Sequence, residues 1–297
     1  MNSKAVNIVW LKRDLRSQDH SPLLKAESAG IPYIIIYLFE PSRIEYPDTS
    51  QRHLQFVYHS IFNLNKVLSE FNRRVELFYG EAIEVFNYLI KDFDIISVFS
   101  YQESGTQGSW ERDKKIKQFC KSNHINWQES QRDGILRGIK NREDWNKKWH
   151  IKMHKSVIQN KYTISKQTRL EHPFLIPSIL ESQLKEYPDN YQPPGEKNAW
   201  RYIKSFTNQR GFNYQRHISK PMESRMSCSR LSPYFAWGNM SIKQAFQFIG
   251  THPNGTKNDK AFSAMLTRLH WHCHFIQKFE MECRYETECI NSGYEIL

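Results

Sequence analysis

A parallel five-stranded α/β unit followed by a helical unit is the architecture this sequence predicts, on three observations. Short apolar runs rich in β-branched residues recur through the first 130 residues, with amphipathic helical patterns between them. A basic, proline-bearing stretch follows, and from Glu196 the apolar spacing is helical alone. Strands this apolar need cover on both faces, which favours a parallel sheet over a one-sided antiparallel one.

Val6–Leu11 (VNIVWL) reads as the first strand and Pro32–Phe39 (PYIIIYLF) as the second. Arg74–Tyr79, Ile95–Phe99 and the shorter Ile125–Gln128 supply three more. Between them, Leu54, Val57, Ile61, Leu64 and Leu68 recur at spacings of three and four, so a helix is expected over His53–Asn72. Two further helices are expected over Glu81–Lys91 and Trp110–Lys121. Past Arg137 come scattered aromatics and Pro173, Pro177, Pro188, Pro193 and Pro194, which read as a connector with some helix, running over the surface of both units. Ala199, Tyr202, Ile203 and Phe206 restart a helical pattern. Helices over Ser241–Ile249, capped by Asn239 or Ser241, and over Lys260–Glu282 complete it. The expected division is 1–136, 137–195 and 196–297, with no internal repeat and no low-complexity tract.

Apolar residues make up 39% and aromatics 14%, enough to build a core. No run approaches the roughly 18 apolar residues of a membrane helix. The start, Met1-Asn2-Ser3-Lys4, leads into a strand with no charged-then-apolar leader, so a soluble cytoplasmic protein is expected. The five cysteines are widely spaced with no Cys-x-x-Cys pair, which excludes a zinc ribbon or a redox dithiol and leaves inert thiols. His270 and His274 lie four apart on one helix, yet no acidic residue follows His270 and no third ligand is evident, so no metal site is expected.

The formal charge of +11 is concentrated. Residues 1–136 carry 17 basic and 17 acidic side chains, whereas 137–225 carry 18 against 8, much of the excess between Arg137 and Arg169. Such a segment suits a polyanion, because each neutralised phosphate releases counterions; a solvated linker is the alternative. Arg137, Lys140, Arg142, Lys147, Lys148 and Lys152 are the candidate contacts.

Two strings carry chemistry. Trp10-Leu-Lys-Arg-Asp-Leu-Arg16, followed by Asp19, delivers charged side chains into the turn after the first strand; unaided, it reads as a βα loop with a salt-bridge cluster. Ser229-Arg-Leu-Ser-Pro-Tyr234 brings two hydroxyls and a proline suited to a first helical turn. Unaided, that reads as a helix cap more readily than as a phosphate cradle.

Together these strings resemble the photolyase/cryptochrome family, whose N-terminal signature is Trp-x-Arg-x-Asp-Leu-Arg and whose Ser-x-Leu-Ser-Pro segment holds the FAD diphosphate. Gln102-Glu-Ser-Gly105, Glu111-Arg-Asp113, Gly134-Ile-Leu-Arg137, Asn141-Arg-Glu-Asp-Trp145 and Gly195-Glu-x-x-Ala199 fall in the order the family requires. The resemblance implies a Rossmann-like α/β domain over 1–136, a basic connector, and the N-terminal part of an all-α FAD-binding domain over 196–297. It also implies that the chain stops within that domain, since the family's Trp-x-x-Gly-x-Thr-Gly stretch does not occur before Leu297. FAD is the implied cofactor, with Tyr214, Ser229, Leu231 and Ser232 as contacts; Cys228 stands where Thr is frequent. An antenna chromophore, a folate or a deazaflavin, is a family feature whose residues are not matched here; Ser109 lies near a position where some folate-binding members carry glutamate.

The implied activity is light-driven repair of DNA containing UV-damaged pyrimidines, by electron transfer from excited reduced FAD, in a monomer. A blue-light receptor without repair activity and an inactive fragment are the alternatives. Two departures bear on the choice. Arg268 replaces the glutamate that contacts the damaged pyrimidines, inverting the charge and removing an acceptor. His272 replaces an arginine that touches the flavin, while Trp271 keeps its place, as core, as pocket lining or as a base-stacking surface. Arg268 in turn becomes a candidate phosphate contact.

Overall fold

The computed structural model describes residues 4–166 and 170–294. Met1–Ser3, Arg169 at the end of the basic stretch, and Leu297 lie outside the described residues. The first unit runs β1 (Lys4–Leu11), α1 (Ser21–Ser28), β2 (Tyr33–Phe39), α2 (Pro41–Ile44), α3 (Gln51–Leu68), β3 (Val75–Tyr79), α4 (Ala82–Asp92), β4 (Phe93–Tyr101), α5 (Gln107–Ser122) and β5 (Asn126–Ser130). All five strands are parallel, in the order β3-β2-β1-β4-β5. The fold class and all five expected strands are therefore present. Two short helices, α1 and α2, were not expected; α1 has eight residues, too few for periodicity to stand out.

The sheet buries both faces. Val6, Ile8 and Trp10 pack with Phe78, Phe86 and Ile116 on one side. Val9 and Leu11 pack with Val57, Ile61 and Leu64 of α3 on the other. Because β-strand side chains alternate in direction, a strand sandwiched this way must be apolar at every position. The free edge of β3 is covered by the connector: Tyr79 N–H donates to the Phe174 carbonyl at 3.0 Å, and the His172 ring stacks on Phe78 at 4.0 Å.

Eight further helices follow: α6 (Trp145–His154), α7 (Ser178–Lys185), α8 (Glu196–Ser205), α9 (Tyr214–His217), α10 (Pro221–Ser227), α11 (Ser232–Ala236), α12 (Ile242–Gly250) and α13 (Asp259–Met281). α12 opens on a capping box in which the Ser241 hydroxyl accepts from Gln244 N and the Gln244 side chain accepts from Ser241 N. α13 buries Phe262, Met265, Leu269, Cys273 and Gln277, spaced three to four apart as one stripe, with Ala261 beside its start. Gln277 clamps that stripe to the loop after β5, accepting from Leu136 N at 2.7 Å and donating to Leu136 O at 2.9 Å.

The connector is not purely superficial. Trp145, Trp149 and Met153 of α6, spaced four apart, are buried in the same core as α12 and α13. Each contributes roughly 2 kcal/mol of burial, which surface lysines on the same helix had masked in the composition.

Candidate functional site

The loop after β1 divides into two roles. Its first half fills the crevice at the carboxyl ends of β1, β2 and β4. Lys12 Nζ pairs with Asp113 at 2.9 Å, and Arg13 Nε with Glu103 at 3.0 Å. The Arg112 guanidinium reaches Glu40 at 2.8 Å, Glu103 at 2.7 Å and Asp113 at 2.8 Å. Burial pushes the Glu103 carboxyl up, but Arg112, Arg13 and Lys12 outweigh it and hold the group well below the carboxylate range. These side chains, with Trp10 and Tyr37, leave about 80 Å³ in the crevice.

The second half of the loop clasps the helical unit. Asp19 accepts from the Ser241 hydroxyl at 2.6 Å and Ile158 N at 2.9 Å, and pairs with Lys243 at 2.7 Å. Arg16 donates to the Gly238 carbonyl at 3.1 Å, and Asn239 Nδ2 to the Leu15 carbonyl at 2.8 Å. Buried His20 sits with Nε2 2.7 Å from Asp14. The salt-bridge reading of this string thus describes its contacts.

The Ser229–Tyr234 segment leads into α11, with Pro233 in its first turn. Arg230 holds a left-handed backbone, φ +58°, and Leu231 N–H donates to the Ser229 hydroxyl at 3.4 Å. Leu231 is buried while Ser232 is exposed. Two arginines absent from the sequence-derived set hold the segment in place. Arg210 donates to the carbonyls of Cys228, Ser229 and Tyr202; Arg132 donates to those of Phe235 and Ala236 at 3.1 and 3.3 Å. No spacing rule finds them, because the partners are backbone carbonyls distant in sequence.

Tyr214 is buried, edge-on to Phe206 at 5.4 Å, with Arg268 close enough to act on its hydroxyl. Arg268 itself is exposed and lies over the Trp271 ring at 4.3 Å. Trp271 is 43% exposed, so a core role for it is ruled out. It points away from the buried stripe of α13, as does Phe275 at 61% exposure. His272 faces inward against Phe235 at 5.9 Å, and its Nδ1 is buried with no hydrogen-bond partner. Burial, with Arg132 nearby, lowers its pKa and keeps it neutral.

The basic candidates separate as well. Arg137 is engaged, bonded to Glu280 and Glu129 at 3.3 Å each and to the Glu103 carbonyl at 3.0 Å. Lys152 is half-buried, its pKa lowered by burial and by Lys243 and Lys155. Lys140, Arg142, Lys147 and Lys148 are exposed, with Arg142 resting on His274 at 3.2 Å. His270 and His274 both lean on Trp145. Among the described residues no cluster of three or more His, Cys, Asp or Glu forms a metal-binding set. Cys120 and Cys273 are buried and each pushed up to about 12 by burial, whereas Cys283 and Cys289 are exposed.

The DNA photolyase family model matches residues 7–141, from β1 through the loop after β5. The chain is 25% identical over 283 residues to the deoxyribodipyrimidine photo-lyase of Buchnera aphidicola, a match covering 88% of this chain and 56% of that protein. Both matches support a likeness to the photolyase/cryptochrome family. An archaeal photolyase from Sulfolobus tokodaii, solved with two FAD molecules, superposes with a TM-score of 0.74 at 19% identity, covering 98% of this chain and 63% of that one. A Synechocystis cryptochrome gives a TM-score of 0.76 at 16% identity, over 95% and 62% of the two chains. The chain thus spans little more than half the length of the photo-lyase it matches. Among the described residues no helix is long and apolar enough to cross a membrane.

Proposed function

We propose that this chain belongs to a flavin-dependent, light-driven protein acting on DNA, with FAD held by the segment after Cys228. The observation that carries this reading is the pairing of that segment with His272. Arg210 holds the Cys228 and Ser229 carbonyls and Arg132 those of Phe235 and Ala236, the exposed Ser232 hydroxyl remains for a ligand, and the buried His272 Nδ1 beside the same helix has no hydrogen-bond partner among the described residues. Both features fit a flavin nucleotide. Tyr214, Ser229, Leu231, Ser232 and His272 would hold it, with Trp271 at the solvent side. When bound, FAD supplies the light-excited electron of the family's chemistry. The protein's own part is to fix the cofactor, to keep His272 neutral and to bring DNA near.

Lys140, Arg142, Lys147 and Lys148 are the proposed phosphate contacts, together with exposed Arg268. Arg137 and Lys152 leave that set because their charges are engaged or half-buried. A cryptochrome-type receptor without repair is the second reading, favoured by Arg268, a cation where repair of cyclobutane dimers uses a carboxylate. The 80 Å³ crevice in the α/β unit, far below the roughly 300–1,000 Å³ of small-ligand pockets, speaks against an antenna chromophore at that place.

The test is an absorption spectrum of the purified chain after incubation with FAD and desalting, then dimer repair under blue light. A retained, structured flavin band with light-dependent repair supports the repair reading, and a band without repair supports the receptor. A colourless protein would sink flavin binding by this chain.

A further inference from the structure

Histidines of α6 and α13 form a row along the basic stretch. His150 and His154 lie one turn apart on α6, with ring centroids 6.2 Å apart. His150 meets His270 of α13 at 6.0 Å. The Trp145 ring joins His270, at 4.9 Å, to His274, at 5.9 Å. At the end of the row, the Arg142 guanidinium lies 3.2 Å from the His274 ring nitrogens. His150 and His154 are exposed, and His270 and His274 partly so. We propose that this row is a proton-linked phosphate surface, which binds the backbone of duplex DNA and takes up protons as it does so. The proposal rests on the DNA reading above and names the side chains that make it depend on pH.

The groups around the row are cationic or neutral. Lys147 lies three residues before His150, one turn away on the same side of α6, and exposed Lys155 follows His154. Lys148 and Lys152 complete the charges of α6, and Lys278 lies four residues beyond His274 on α13. From α12 comes the Phe246 ring, 5.3 Å from His154, together with Lys243, which is already paired with Asp19 at 2.7 Å. Asp133 is taken by Arg132 at 3.5 Å. Glu143 and Asp144, exposed ahead of α6, are not among the groups that act on His270 or His274.

In that setting an imidazolium has nothing to pair with. Burial, then His150 and His274, lower the pKa of His270; burial, then Arg142 and Lys278, lower that of His274. The Arg142 contact agrees, because a guanidinium donates only to an imidazole nitrogen that carries no proton. A phosphate seated between Arg142 and His274 reverses the field: repulsion of the imidazolium gives way to attraction, and the pKa rises. A group that holds its proton more tightly in the complex than in the free protein makes affinity grow as pH falls.

The experiment is fluorescence anisotropy of a labelled, undamaged duplex with the full chain at pH 8 and pH 6, at one ionic strength. Affinity is expected to rise at least threefold at pH 6, with the log–log salt slope steeper by about one to two. Titration calorimetry at pH 6.5, in two buffers of different ionisation enthalpy, should show net proton uptake on binding. His150→Gln with His274→Gln should remove most of that uptake and flatten the pH dependence. Circular dichroism checks that parent and variant stay folded at pH 6. Equal affinity at the two pH values overturns the proposal and leaves the DNA reading standing, as does a double variant that keeps the parent's proton uptake. Failure to bind duplex at either pH overturns both.

Discussion

Replacing Gly238 with alanine tests how the two units are joined. Gly238 follows α11 with φ +71°, and a Cβ there would stand 2.2 Å from the Arg13 carbonyl oxygen and 2.5 Å from Asp14 Cα. Both obstacles are backbone, so no side chain can swing aside. The left-handed conformation costs an L-residue about 1–2 kcal/mol, and forcing packed atoms apart adds about 1–3 kcal/mol. The separation also strains the Leu15 N–H bond to the Trp237 carbonyl and the Arg16 bond to the Gly238 carbonyl, each 3.1 Å. A total loss of about 2–5 kcal/mol corresponds to a fall in Tm of roughly 5–15 °C. Gly138 is the control: its φ is +72°, yet nothing lies within 4 Å of a Cβ built there. Gly138→Ala should therefore lose only the conformational part, about 1–2 kcal/mol. Thermal unfolding by circular dichroism reads both. Equal melting temperatures for the two variants would refute the close approach as the constraint.

Three further outcomes are expected. Arg210→Met frees the carbonyls of Cys228, Ser229 and Tyr202, and half-saturation with FAD should rise at least tenfold; an unchanged titration would remove Arg210 from the cofactor-holding set. His20, His270, His272 and His274 are all held below the usual histidine value, chiefly by burial, so the unfolded chain takes up protons first as pH drops below about 6.5 and stability falls. Glu40, Glu129, Glu196 and Glu280 are pushed up by burial and act in the opposite sense at lower pH. The decisive readout is thus the slope of Tm between pH 7.5 and 6, which His270→Gln should flatten; a slope identical to the parent's would count against it. Finally, Lys147→Ala with Lys148→Ala should lower the dependence of DNA affinity on salt by about one to two in the log–log slope, whereas Arg137→Ala, whose charge is already paired, should leave that slope unchanged.

Much of the α/β unit was legible because its signal is local. A buried parallel strand must be apolar at every position, and VNIVWL and PYIIIYLF satisfy that without reference to anything else. The helix over α3 was legible for the same reason, its apolar residues recurring on one face. The connector misled because lysines dominate the composition of α6, while three residues spaced by four, Trp145, Trp149 and Met153, decide where it goes. At the candidate site, the Ser229–Tyr234 string announced itself, but Arg210, which holds the Ser229 carbonyl, and Arg132, which holds those of Phe235 and Ala236 just after it, did not.

The sequence by itself determined the five strands and the longer helices between them, the family resemblance and the location of the excess charge, since each is written in neighbouring residues. Only the tertiary structure decided what those charges do. It spends Arg137 on Glu280 and Glu129 and closes the β1 crevice with Lys12, Arg13 and Arg112. It likewise turns Trp271 outward and His272 inward on one helix. The physical reason is that a charge or ring acts through what lies within a few ångströms of it, and some of those neighbours are far off in sequence, 101 residues for Lys12 and Asp113 and 143 for Arg137 and Glu280.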